Sequence, residues 1–75
     1  MAAERVHDRQ LQAFGQNVRR ERVRKKLTQE RLAALVDLNP RTVQKIEAGD
    51  VNILFTTILR IHKALGCEWN KLMPK

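Results

Sequence analysis

Tyrosine is absent from this chain, and one tryptophan and two phenylalanines are its whole aromatic complement. Single-stranded nucleic acid is held by stacking bases on such rings, so the platform that this class of binder needs is missing. The lone cysteine, Cys67, excludes an internal disulfide, and no His or Cys stands at metal-ligand spacing from it. A reducing interior suits it. No apolar run approaches the ~20 residues of a membrane span, and the N-terminus lacks the apolar stretch of a signal peptide. The expected compartment is the cytoplasm, with no membrane partner. Also missing are a phosphate-binding loop, a nucleophile elbow, an HExxH helix and any Cys/His cluster, and the polar residues do not converge on one place. An enzyme is therefore not expected, nor a metal or cofactor. There is no internal repeat and no low-complexity tract.

Acidic residues are also few, eight Asp and Glu against fifteen Lys and Arg, for a formal charge of +7. That balance is the electrostatic footprint of a polyanionic partner. Seventy-five residues make one domain, and a chain of that size buries only about 60 to 65% of its unfolded surface, too little for a deep catalytic cleft.

The chain is organised around Leu27 to Gly49, LTQERLAALVDLNPRTVQKIEAG. Thr28 is a good N-cap, Glu30 suits the positive end of a helix dipole, and Leu32, Leu35 and Val36 recur at the spacing of an apolar helical face. Ala33 and Ala34 are small enough to let a neighbouring helix come close. Asp37 stops the helix, since Asp tolerates positive φ better than most residues. Asn39 is a second N-cap with Pro40 at the first helical position, Val43 and Ile46 mark a buried side, and Gly49 can terminate the helix in the left-handed conformation. Arg41, Gln44, Lys45 and Ala48 share the other face at i, i+3, i+4 and i+7, without apolar bulk and open to a partner.

This segment resembles the helix-turn-helix of Xre/Cro/phage-repressor-type DNA-binding domains. FGQNVRRERVRKK is similar to the first helix of that fold, and TTILRIHKALGCEWNKLM to its last two. The resemblance implies an all-α, five-helix phage-repressor-like domain over residues 11–75, with a recognition helix at about 39–48. Residues 1–10 read as an arm or an extension of the first helix; Arg5 and Arg9 there are candidates for a backbone or minor-groove contact, against a disordered end. The resemblance further implies a transcriptional regulator of double-stranded DNA, in which Arg41, Gln44 and Lys45 meet base edges and Pro40 and Thr42 lie near the bases or the backbone. Lys25, Lys26, Thr28, Gln29 and Asn39 become candidate phosphate contacts. Glu47 falls where the family carries an acid that pairs with an arginine matching Arg22, a structural ion pair. The same family often dimerises through its last helices, which makes Trp69, Leu72 and Met73 candidates for a homodimer interface; alternatively they plug the base of the core.

The chain departs from the family at Asp50, where a basic residue is common, so one backbone contact of the family is not expected here; its departures at Ile53 and Leu54 leave the start of the fourth helix open. Asn52 either caps that helix or donates to a phosphate. The first helix is expected to run to about Lys26, with Leu11, Phe14, Val18 and Leu27 towards the core and Gly15 as a minor interruption. Phe55, Ile58, Leu59, Ile61, Ala64 and Leu65 are too many apolar residues for a helix with a broad wet face, so the fourth helix is expected at the centre of the core. His62 reads as a packed histidine rather than a ligand. The rival reading is an antitoxin-like protein-interaction module that holds another protein and touches DNA secondarily.

Overall fold

The computed structural model describes the backbone of residues 2–75 and side-chain surroundings from residue 8 onward. Its elements in order are α1 (Ala2–Arg24), α2 (Gln29–Val36), α3 (Pro40–Ala48), α4 (Phe55–Leu65) and α5 (Trp69–Leu72). No strand occurs among the described residues. The Arg5 side chain lies outside them; Arg9 is exposed.

Both helices of the central segment start where the sequence signals them. The Thr28 hydroxyl accepts from the Arg31 amide at 3.0 Å, and the Asn39 carboxamide oxygen accepts from the Arg41 amide at 2.9 Å, with Pro40 opening the helix. Each cap satisfies a backbone donor that no earlier turn could reach.

The first three helices end in the same closure. A left-handed residue follows each, Lys26 and Asp37 with φ 58° and Gly49 with φ 76°. The next amide then reaches back five residues: Leu27 to the Arg22 carbonyl at 3.1 Å, Leu38 to Ala33 at 2.9 Å and Asp50 to Lys45 at 2.9 Å. This is the Schellman pattern, which satisfies carbonyls left open at a helix end. Asp37 and Gly49 were expected in this role. Lys26 was not, and its turn stops α1 at Arg24, short of the expected Lys26.

Every helix contributes to one core: Phe14 and Val18 from α1, Leu32, Ala33 and Val36 from α2, Val43 and Ile46 from α3, Ile61 and Leu65 from α4, and Leu72 from α5. Leu27 packs only partly against it, Leu11 is half-buried, and Leu35 is 51% exposed. Burying each large side chain contributes about 1.5 to 3 kcal/mol, so a few such residues carry a domain this small.

Two expectations change here. Leu72 has no exposed surface at all, so it belongs to the core and has nothing to offer a second copy; half-buried Met73 packs against the same cluster. The Asn17 amide fixes α5 by donating to the Leu72 carbonyl at 2.8 Å, and Arg20 donates to that of Lys71. The second change concerns α4, which lies at the side of the bundle rather than its centre. Thr57, Ile61 and Leu65 face inward, while Leu54, Phe55 and Leu59 are 73%, 62% and 43% exposed. Helices α2 and α1 cover one side of it and the other is left open. Leu54 is the N-cap residue and makes no side-chain cap bond, so Asn52, two residues earlier, does not cap α4.

Candidate nucleic-acid interface

Helix α3 is divided lengthwise. Val43, Ile46 and Glu47 are buried; Arg41, Gln44, Lys45 and Ala48 are exposed, with Pro40 and Thr42 at the margin. Among the described residues no carboxylate pairs with Arg41 or Lys45. Their cationic heads stay free to donate to acceptors outside the molecule, and guanidinium and ammonium groups reach the O6 and N7 acceptors of guanine well.

The buried face of α3 is locked by a polar network. Arg22 Nε donates to Glu47 Oε2 at 2.6 Å, Arg22 Nη2 to Glu47 Oε1 at 3.1 Å, and Gln29 Nε2 to the same Oε1 at 3.0 Å. A third Arg22 nitrogen, Nη1, donates to the Leu27 carbonyl at 2.8 Å, tying the α1–α2 turn into the network. The side chains of Arg22 and Glu47 are only 12% and 4% exposed. A forked pair with a third donor is the geometry that offsets the desolvation of buried charge. Three helices are joined at one carboxylate.

Gln29 enters this network unannounced; its position at the start of α2 suggested only a phosphate contact. One of its two amide hydrogens is now committed to Glu47, leaving one for an outside acceptor. Asn39 likewise spends its oxygen on the cap and keeps its amide donors. Lys26 and Thr28 are exposed at the turn into α2. Lys25 stands apart from them: its Nζ lies over Gly66 at the α4–α5 turn, in a groove shared with Cys67 and Glu68. Asn52 is exposed and borders a different groove, with Gln10 and Leu11 of α1.

Sequence reasoning also passed over Glu21, a buried carboxylate that accepts from Arg20 Nε at 3.0 Å and lies 3.6 Å from Arg24. A signal was present, since an acid inside RRERVRKK has arginines within one turn on both sides. Burial, and next the Glu21 charge, push the Cys67 thiol up from its ordinary value, so it is a neutral thiol at neutral pH. No group of three His, Cys, Asp or Glu that could hold a metal occurs among the described residues, and no described helix is long and apolar enough to cross a membrane.

A second surface lies on α4 and α5. Phe55 and Trp69 meet edge to face at 6.4 Å, and His62 and Trp69 do so at 5.1 Å. With Leu54 and Leu59 they form an exposed, mostly apolar patch.

A helix-turn-helix family model matches residues 18–72, from the middle of α1 through α5. Among solved structures, the crystal structure of the restriction-modification controller protein C.AhdI from Aeromonas hydrophila is similar at 38% identity with a TM-score of 0.79, over 84% of this chain and 96% of that one. No curated protein matches. From the capped helix pair, the exposed polar face of α3 and this match together, the chain belongs to the Xre-type helix-turn-helix family of DNA-binding transcription regulators.

Proposed function

We propose that this protein is a sequence-specific regulator that binds a two-fold operator in the cytoplasm as a homodimer, in the controller role named for the Aeromonas relative. The carrying observation is the face of α3: Arg41, Gln44 and Lys45 are exposed together while Glu47, on the opposite side, is held by two other helices. A rod anchored from behind presents its outward side chains at a fixed height and angle, which reading a major groove requires. Arg41 or Lys45 would contact guanine and Gln44 adenine, with Pro40 and Thr42 at the edge of the contact. Lys26, Thr28, Gln29, Asn39 and Asn52 would meet phosphates; Lys25 is less well placed for this.

The homodimer reading moves from Leu72 and Met73 to the patch of Leu54, Phe55, Leu59 and Trp69. Large exposed apolar and aromatic groups on a strongly charged domain suit an interface. A symmetric pair would set its two recognition helices about 34 Å apart, one turn of DNA.

Selection of bound duplexes from random-sequence DNA tests the proposal. Arg41→Ala or Lys45→Ala should relax the selected preference at one position, by about 1 to 3 kcal/mol. Lys26→Ala should weaken all sequences alike. If all three variants act uniformly, α3 does not read bases and the assignment is wrong.

A further inference from the structure

Gly15 stands in the middle of α1, where glycine weakens a helix relative to alanine. It is buried against the last turn of α3. A Cβ placed there would lie 2.2 Å from the Ile46 carbonyl oxygen and 2.7 Å from that of Glu47. Both are backbone atoms and cannot swing aside. Two more contacts fall on the same end of α3: the Arg22 fork on Glu47, and Gly49, whose Cβ would lie 2.7 Å from the Gln12 Cα. The C-terminal end of α3 is thus seated on α1 backbone to backbone, while Arg41 lies at the other end.

We infer that Gly15 is a positioning residue for base reading: its missing side chain sets how closely the C-terminal end of α3 rests on α1, and so where Gln44 and Lys45 meet the base edges. The inference rests on the DNA-reading role proposed above. A methyl group at position 15 must drive the Ile46 carbonyl back by about 1 Å to reach ordinary contact. Binding constellations tolerate about 0.5 Å of misplacement. Lys45, next to Ile46, and Gln44, at the middle of α3, take more of the shift than Arg41 near the far end. Lys26, a long exposed side chain at the turn into α2, absorbs it at its phosphate.

The test compares wild type, Gly15→Ala and Val18→Ala on two duplexes, one selected from random DNA by the wild-type protein and one a shuffled version of it. Val18→Ala opens a cavity in the same helix without placing an atom against α3, and the variants are compared at temperatures giving equal folded fraction. Gly15→Ala should lower the ratio of selected to shuffled affinity about tenfold or more, the scale of one bidentate base contact. Its binding to the shuffled duplex should stay within about twofold, because phosphate contacts are unchanged. The amide resonances of residues 40–48 should move in the free protein, independently of DNA.

An unchanged ratio in Gly15→Ala, or an equal loss in Val18→Ala, overturns the inference. A wild type that prefers neither duplex overturns the DNA reading together with it, whereas a strong wild-type preference beside an unmoved Gly15→Ala ratio overturns this inference alone. If Gly15→Ala does not fold, Arg22→Lys replaces it, breaking the fork at the same seat while keeping the charge. A reduced ratio then supports the seat, and an unchanged ratio overturns it.

Discussion

Lys26 holds a left-handed backbone that glycine adopts freely. For an L-residue with a side chain this costs about 1 to 2 kcal/mol, part of which glycine would return through a looser unfolded chain. Lys26→Gly is expected to stabilise the domain by about 0.5 to 1 kcal/mol. Circular dichroism should then show Tm higher by about 2 to 8 °C. Arg22→Ala should act the other way. It strands the Glu47 carboxylate behind α3, for a loss of about 3 to 5 kcal/mol in urea unfolding; a loss under about 1 kcal/mol would mark the pair as no better than a surface one. Of these residues, Asp37 and Gly49 were legible because their types tolerate positive φ. Lys26 carries no such mark: its conformation is imposed by Leu27 reaching back to Arg22 on one side and the Thr28 cap on the other. Gly15 was read as a blemish in a helix, because a sequence shows which residue lacks a side chain and not what occupies the space.

At the scale of elements, caps and stops were the readable part. Thr28, Asp37, Asn39, Pro40 and Gly49 bound α2 and α3 to within a residue, since each acts through its own local backbone. The orientation of α4 was not readable. Its apolar residues divide between Ile61 and Leu65 inside and Phe55 and Leu59 outside, and periodicity is the same whether an apolar side meets its own core or another molecule. This division yields a prediction. Leu59→Glu should leave helicity and Tm nearly unchanged yet give a monomer in sedimentation equilibrium at concentrations where wild type is a dimer. Leu72→Ala, at the neighbouring helix, should instead cost about 2 to 5 kcal/mol of stability by leaving a cavity. If wild type is a monomer the proposed homodimer falls, and if Leu59→Glu stays dimeric the proposed interface does.

For the molecule as a whole, the surface is more basic than its composition suggests. Glu21 is buried while its partners Arg20 and Arg24 stay exposed, whereas Glu47 and Arg22 are buried together and cancel. If each protomer neutralises about three to five phosphates, log affinity should fall with log salt at a slope of roughly −5 to −9 for the dimer. Fluorescence anisotropy between about 50 and 200 mM salt measures it. A slope shallower than about −3 would mean that the basic surface faces away from the nucleic acid. The uniform closures at Lys26, Asp37 and Gly49 carry one more consequence. Each uses the minimum stretch of chain between its hydrogen bonds, so an inserted residue has no slack to enter. One added within a helix would turn everything after it by about 100° and aim a different stripe outward. Between Thr28 and Gly49, then, the outward letters of α3 can be exchanged at little cost to the fold, whereas the caps, the stops and the number of letters cannot.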